Sequence, residues 1–162
     1  RKERHFSESY SAREHGGGVI LDLSHEIDLL LWLFGNIEID FTKVGNFSTL
    51  KIDSEDSMFL SGHIDNGSPI ELSLSYFSTI ERRQIHVVTE ESTYLVDLVN
   101  NIIYSRDKNL SISEHSLDSF DMNKTYIEQH LSIINDKSDS TAKLQDGLKV
   151  NNFIQLIKSW SG

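Results

Sequence analysis

The stretch Gly16-Gly17-Gly18-Val19-Ile20-Leu21-Asp22-Leu23-Ser24-His25-Glu26-Ile27-Asp28-Leu29-Leu30-Leu31-Trp32-Leu33-Phe34-Gly35 decides how the rest of the sequence is read. Three glycines open it, which lets the backbone turn sharply or meet a close neighbour. Gly35 stands where a helix stops. Between them Ile20, Leu23, Ile27, Leu30, Leu31, Leu33 and Phe34 leave almost no polar face, the pattern of a buried helix. Asp22, His25 and Asp28 stand at i, i+3 and i+6 and form one slanted stripe on that helix. A polar stripe on a buried helix must face a cleft, a partner or a polar network. The run is too short and too interrupted by charge to span a bilayer.

Downstream of Gly35 the period changes from helical to alternating. Ile37, Ile39 and Phe41 are expected on one face, with Glu38 and Asp40 between them. Met58, Leu60 and Ile64 continue the alternation, as do Ile70, Leu72, Leu74 and Tyr76. Asp65-Asn66-Gly67-Ser68 between those two runs signals a hairpin. Pro69 is the only proline and sits where a strand begins, a tolerated place. Further strands are expected over 84–89, 93–99 and 102–104, the last pair joined at Asn100-Asn101, with a short one at 110–113. Helical spacing returns with Met122, Tyr126, Ile127, Leu131 and Ile134. A second helix carries Leu144, Leu148, Phe153, Ile154, Ile157 and Trp160, with Asp139-Ser140-Thr141 as N-cap chemistry. Gly147 costs that helix about 1 kcal/mol relative to alanine, which suggests a close packing contact. Helix, strands, then two helices make an α+β fold: an open, largely antiparallel sheet with helices packed on one face.

The chain has 162 residues, enough for one domain with a sizeable core. Hydrophobic content of 38% and charged content of 25% suit a globular protein. A formal charge of −10 argues against nucleic acid and anionic membrane as partners. The lack of cysteine excludes disulfides and thiol chemistry and suits a reducing, cytoplasmic setting. The sequence begins at Arg1 without an initiator methionine, so a fragment of a longer protein is expected.

His25 between Asp22 and Asp28 is the strongest chemical candidate. A neighbouring carboxylate fixes the tautomer of an imidazole, and such a histidine can move a proton near neutral pH. On the residues alone, a satisfied structural histidine is the preferred reading over a catalytic one. Arg13 is either a solvated arginine or a substrate-binding cation close to the helix start. Arg82-Arg83 is either an anion site or a solvated strand end. Gly16 to Leu21 is not a dinucleotide fingerprint, because Leu21 stands where the last glycine should be. His25-Glu26 is not a zinc-protease helix, since Leu29 replaces the second histidine. His5, His15, His63, His86, His115 and His130 are scattered without ligand spacing, and no metal site is expected.

The glycine run with Asp22, His25, Glu26 and Asp28, closing on Trp32-Leu33-Phe34-Gly35, resembles the start of the C-terminal domain of the Gfo/Idh/MocA oxidoreductases, relatives of glucose–fructose oxidoreductase and inositol dehydrogenase. Ser9-Tyr10-Ser11-Ala12-Arg13-Glu14 resembles the segment leading into that helix in sugar-modifying members. Leu144-Gln145-Asp146-Gly147-Leu148 resembles the family's last helix. The resemblance implies that residues 1–162 are a C-terminal substrate-binding and oligomerisation domain. An N-terminal Rossmann domain, absent from this chain, would bind NAD or NADP and supply a lysine. It further implies catalytic roles for His25 and Asp22 beside the nicotinamide, and substrate contacts for Arg13, Tyr10 and Asp28. The substrate would be a sugar, polyol or nucleotide sugar, and the isolated chain would be silent. A non-catalytic binding or assembly module of the same fold is the other reading. One departure stands out: the family's commonest form is D-x-x-x-H, whereas Asp22 and His25 are one residue closer. A helix bulge between them would restore the geometry.

Overall fold

The computed structural model describes residues 17–116, 121–135 and 141–160. In chain order it contains α1 (Val19–Asp22), α2 (Ser24–Phe34), β1 (Ile37–Gly45), β2 (Ser57–Ile64), β3 (Pro69–Ser75), β4 (Gln84–Val88), β5 (Ser92–Asp97), β6 (Ile102–Asp107), β7 (Ile112–Ser116), α3 (Met122–Ile134) and α4 (Leu144–Ser159). This is the expected α+β order. The strands divide between two open antiparallel sheets, β1-β2-β3 and β4-β5-β6-β7. They belong to two compact units: one runs through Phe77 and resumes at Ala142, and the other is Ser78–Thr141.

In the first unit α1 lies against β2 and β3, α4 lies against β1, and α2 packs on α4. The buried core comprises Val19, Ile20, Ile27 and Leu31 from α1 and α2, Ile37, Met58, Leu60 and Leu74 from the sheet, and Phe153, Ile154 and Ile157 from α4. The β2–β3 hairpin forms as expected: the Gly67 N–H donates to Ile64 O at 2.8 Å and the Ser68 N–H donates to the Asn66 side chain at 2.9 Å.

The alternation along β1 breaks where the sequence expects it to continue. A bulge between Ile39 and Phe41 shifts the register against β2. One extra residue inverts every following side chain. Phe41 therefore turns outward, 45% exposed, and Thr42 takes the buried position. The Thr42 hydroxyl is satisfied by donating to Phe59 O at 2.9 Å. Phe41 instead meets Phe59 and, edge-on at 5.7 Å, Trp160. Gly62 sits opposite Ile39 at the bulge, and a Cβ there would overlap the Glu38 carbonyl oxygen.

The last helix also differs from expectation. Its N-cap is Lys143, whose backbone N–H donates to the Asp146 carboxylate at 2.7 Å. Asp139 and Ser140 lie outside the described residues, and Thr141 precedes the cap. Among the described residues nothing lies within 4 Å of a Cβ built on Gly147, so the close packing contact suggested by the sequence is not found there.

In the second unit each of β4 to β7 pairs antiparallel with the next. Ile85, Val96 and Ile103 stand directly across from one another and give the sheet an apolar row. The last strand starts at Ile112 rather than at Leu110, because Leu110 lies in the preceding turn with φ of 65°. The amphipathic helix forms over Met122–Ile134 and is capped by Asp121, which accepts from the Asn123 N–H at 2.9 Å. Its Tyr126, Ile127, Leu131 and Ile134 are exposed.

Two glycine substitutions separate these roles. Gly62→Ala is expected to lower stability by about 1–3 kcal/mol, the cost of forcing atoms into a packed site. Gly147→Ala is expected to raise it by about 0.5–1 kcal/mol, since an open helical position gains from a Cβ. Urea denaturation midpoints of the two variants against the parent chain check both signs.

Candidate functional site

The glycine-to-Gly35 stretch folds as two helices rather than one. Leu23, with φ −104° and ψ 25°, ends α1 and caps α2. The Asp22 and Leu23 N–H groups still bond back to Gly18 O and Val19 O at 3.0 Å, but the Glu26 N–H reaches only to Leu23 O. Asp22 thus closes the first helix, while His25 and Asp28 ride on the first turns of the second. The break falls between Asp22 and His25, where the sequence spacing is short. Gly35 stops α2 with φ of 83°, as expected.

The pair of helices is buried on one side only. Ile27 and Leu31 enter the core, whereas Trp32 is 77% exposed and Leu33 also faces out. The helix is not buried all round: apolar residues surround the axis, but among the described residues the sheet and α4 cover one face.

His25 is accessible, with 55% of its side chain exposed, and its Nε2 lies 3.2 Å from Glu26 Oε1. A buried polar network centred on His25 is therefore not what forms. Asp22 is half-buried and Asp28 exposed. Tyr10 and Arg13 lie outside the described residues. An accessible imidazole beside a carboxylate has the chemistry to exchange a proton with a bound hydroxyl or carbonyl.

The start of α1 is held by the loop between β1 and β2, a segment without a motif in the sequence. The Val19 N–H donates to Glu55 O at 2.9 Å. The neighbouring Asp56 is wholly buried and accepts from the Phe47 and Ser48 backbone N–H groups, both at 2.9 Å, and from the Ser48 hydroxyl. Burial pushes its carboxyl up, but these hydrogen bonds outweigh burial and hold it below the usual carboxylate range. The available signal was Ser54-Glu55-Asp56 directly ahead of a strand, which reads as an ordinary polar loop.

His63, set aside in the sequence as scattered, gathers two carboxylates on the outward face of β1 and β2. Its Nδ1 lies 3.0 Å from Asp40 Oδ1 and its Nε2 3.5 Å from Glu38 Oε2. The hydrogen bond and charge of Asp40, then the charge of Glu38, raise its pKa. Among the described residues no group of three or more histidine or carboxylate side chains is arranged to hold a metal ion. Both sheets are antiparallel, and the strand, glycine turn and helix that cradle a pyrophosphate do not occur among the described residues. No described helix is long and apolar enough to cross a membrane.

A sequence model of the GFO/IDH/MocA C-terminal domain matches residues 1–95. The comparison with curated proteins found no match. Among solved structures, the chain is similar to UDP-N-acetylglucosamine 3-dehydrogenase GnnA from Acidithiobacillus ferrooxidans, at 20% identity and a TM-score of 0.69, covering 86% of this chain and 46% of that one. It is similar to the WlbA dehydrogenase from Bordetella pertussis, solved with NADH and UDP-GlcNAcA, at 17% identity and a TM-score of 0.67, covering 98% and 50%. It is also similar to Gal80p from Saccharomyces cerevisiae, at 11% identity and a TM-score of 0.65, covering 89% and 47%. These likenesses show a shared fold, and the chain spans about half the length of each of the three.

The His63 cluster gives a pH prediction. A raised folded-state pKa means stability that is fully present below the ordinary histidine value of 6.5 and lost as pH rises through the raised value. The stability difference between the parent chain and His63→Gln is expected to shrink over that rise. Urea titrations of both proteins from pH 5.5 to 8.5 measure it, and a constant difference would contradict the assignment.

Proposed function

Because the chain belongs to the Gfo/Idh/MocA family through its C-terminal domain, we propose that residues 1–162 are the substrate-binding and oligomerisation half of an NAD(P)-dependent oxidoreductase acting on a sugar, polyol or nucleotide sugar. The observation that carries this reading is His25, an accessible imidazole on the first turn of α2, inside the motif that marks the domain. The names of GnnA and WlbA support a nucleotide sugar as the substrate class.

In this reading the nicotinamide cofactor, bound outside the described residues, supplies the hydride acceptor or donor. This chain handles the proton. His25 takes the hydroxyl proton as the carbinol carbon is oxidised, and returns it in the reverse direction. Asp22, at the end of α1, orients the imidazole or the substrate across the break at Leu23. Asp28, one turn beyond His25, contacts the substrate, together with Tyr10 and Arg13. The protein works in the cytoplasm as a homo-oligomer, joined through the face of β1–β3 that carries Phe41 and Phe59.

A second reading, a non-catalytic binding or assembly module, draws on the shared fold with Gal80p and on the exposed apolar side chains Trp32, Phe41 and Phe59. His25→Asn separates the two. In the protein that joins this domain to its cofactor-binding half, the enzyme reading expects kcat/KM to fall by about 10²–10⁴, the usual worth of a general base, with the thermal midpoint unchanged. Unaltered turnover would leave the module reading as the account. The oligomer contact has its own check: Phe59→Glu is expected to shift the sedimentation coefficient to that of a monomer.

A further inference from the structure

We infer that Glu55 is a positioning residue for the helices carrying Asp22 and His25, acting through a clasp over Gly18 that Lys158 closes from α4. The functional meaning of the clasp rests on the role proposed above for His25.

Neither α1 nor α2 begins with a side-chain cap; their N-caps are Gly18 and Leu23. What fixes the start of α1 is therefore tertiary. The Glu55 carbonyl receives the Val19 N–H at 2.9 Å. The Glu55 carboxylate then folds over Gly18 so closely that a Cβ there would fall inside it. Gly18 has a φ of 123°, so it suits only glycine for backbone reasons as well. The Glu55 side chain is only 15% exposed, and its buried Oε1 takes no hydrogen bond among the described residues. The charge that faces it is Lys158 Nζ, 3.8 Å away on the last turn of α4. A carboxylate in that position is held by shape and by one cation rather than by directional bonds. Removing either partner leaves a poorly compensated charge at the start of α1.

The clasp joins three elements that are distant in sequence: the loop before β2, the glycine start of α1 and the end of α4. Asp22 is only four residues from Gly18, and the Asp22 N–H bonds to Gly18 O at 3.0 Å. A shift of the start of α1 is passed directly to Asp22 and, past Leu23, to His25. A misplacement of about 1 Å at a reacting group can cost on the order of 10²-fold in rate.

Amide hydrogen exchange on this chain tests the clasp. In Glu55→Ala the Val19, Asp22 and Leu23 amides are expected to exchange about tenfold faster, a local opening, while the amides of β2 keep their rates. The isosteric Glu55→Gln and Lys158→Met are expected to do the same to a smaller degree. In the protein that joins this domain to its cofactor-binding half, Glu55→Gln is expected to lower kcat more than it alters KM, and Glu55→Asp to recover part of the loss. Unchanged α1 exchange in Glu55→Ala would overturn the clasp. Uniformly faster exchange across β2 as well, or an effect on KM alone, would reduce Glu55 to a general stabiliser and overturn the positioning role. If His25→Asn leaves turnover intact, the functional reading fails separately, and the exchange data still decide the clasp.

Discussion

The burial of Val19 and Ile20 beneath β2 and β3 is the interaction on which the first unit depends. A four-residue helix has no stability of its own, because its nucleation cost is never recovered along its length. α1 exists because both side chains are removed entirely from water against the inner face of the sheet. Once α1 is seated there, Ile27 and Leu31 of α2 follow into the same core, and α4 closes it with Phe153, Ile154 and Ile157. His25 and Asp28 of α2 are left on the side that these elements do not cover. The accessibility of His25 is thus a by-product of which face the core claimed.

The strands and the β2–β3 hairpin were legible because their signals are local: alternation within a run, and Asp65-Asn66-Gly67 between two runs. The two-helix break and the bulge were not. A bulge adds a residue without disturbing the alternation of letters, so Phe41 looks inward in the sequence and points outward in the fold. The apolar pattern around α2 overstated its burial for a related reason: counting apolar residues does not reveal which of them a neighbour covers, and Trp32 is left open. The motif around His25 was legible through resemblance. The residues that support it were not, because Glu55 meets Gly18, and Lys158 meets Glu55, only after the chain has folded.

The chain carries a formal charge of −10, and the structure stabilises its carboxylates by different means. Asp56 is surrounded by backbone N–H groups, a fixed arrangement that salt does not screen well because it is buried. Asp40 and Glu38 share His63 at the surface, a contact open to solvent and weakened by ionic strength. Glu55 stands between these cases, mostly enclosed yet facing a lysine that is partly in water.

The first unit is discontinuous: its backbone leaves at Phe77 and resumes at Ala142. During synthesis, therefore, β1, β2 and β3 emerge well before the helix that completes their core. The whole of Ser78–Thr141 must follow before Phe153, Ile154 and Ile157 can dock. The closure entropy of so long an intervening segment grows only slowly with its length. The intervening unit can therefore lengthen or shorten at small thermodynamic cost, while the order of assembly stays fixed. Until α4 arrives, the half-built sheet presents a sticky apolar inner face, a stage at which a nascent chain is most in need of a chaperone.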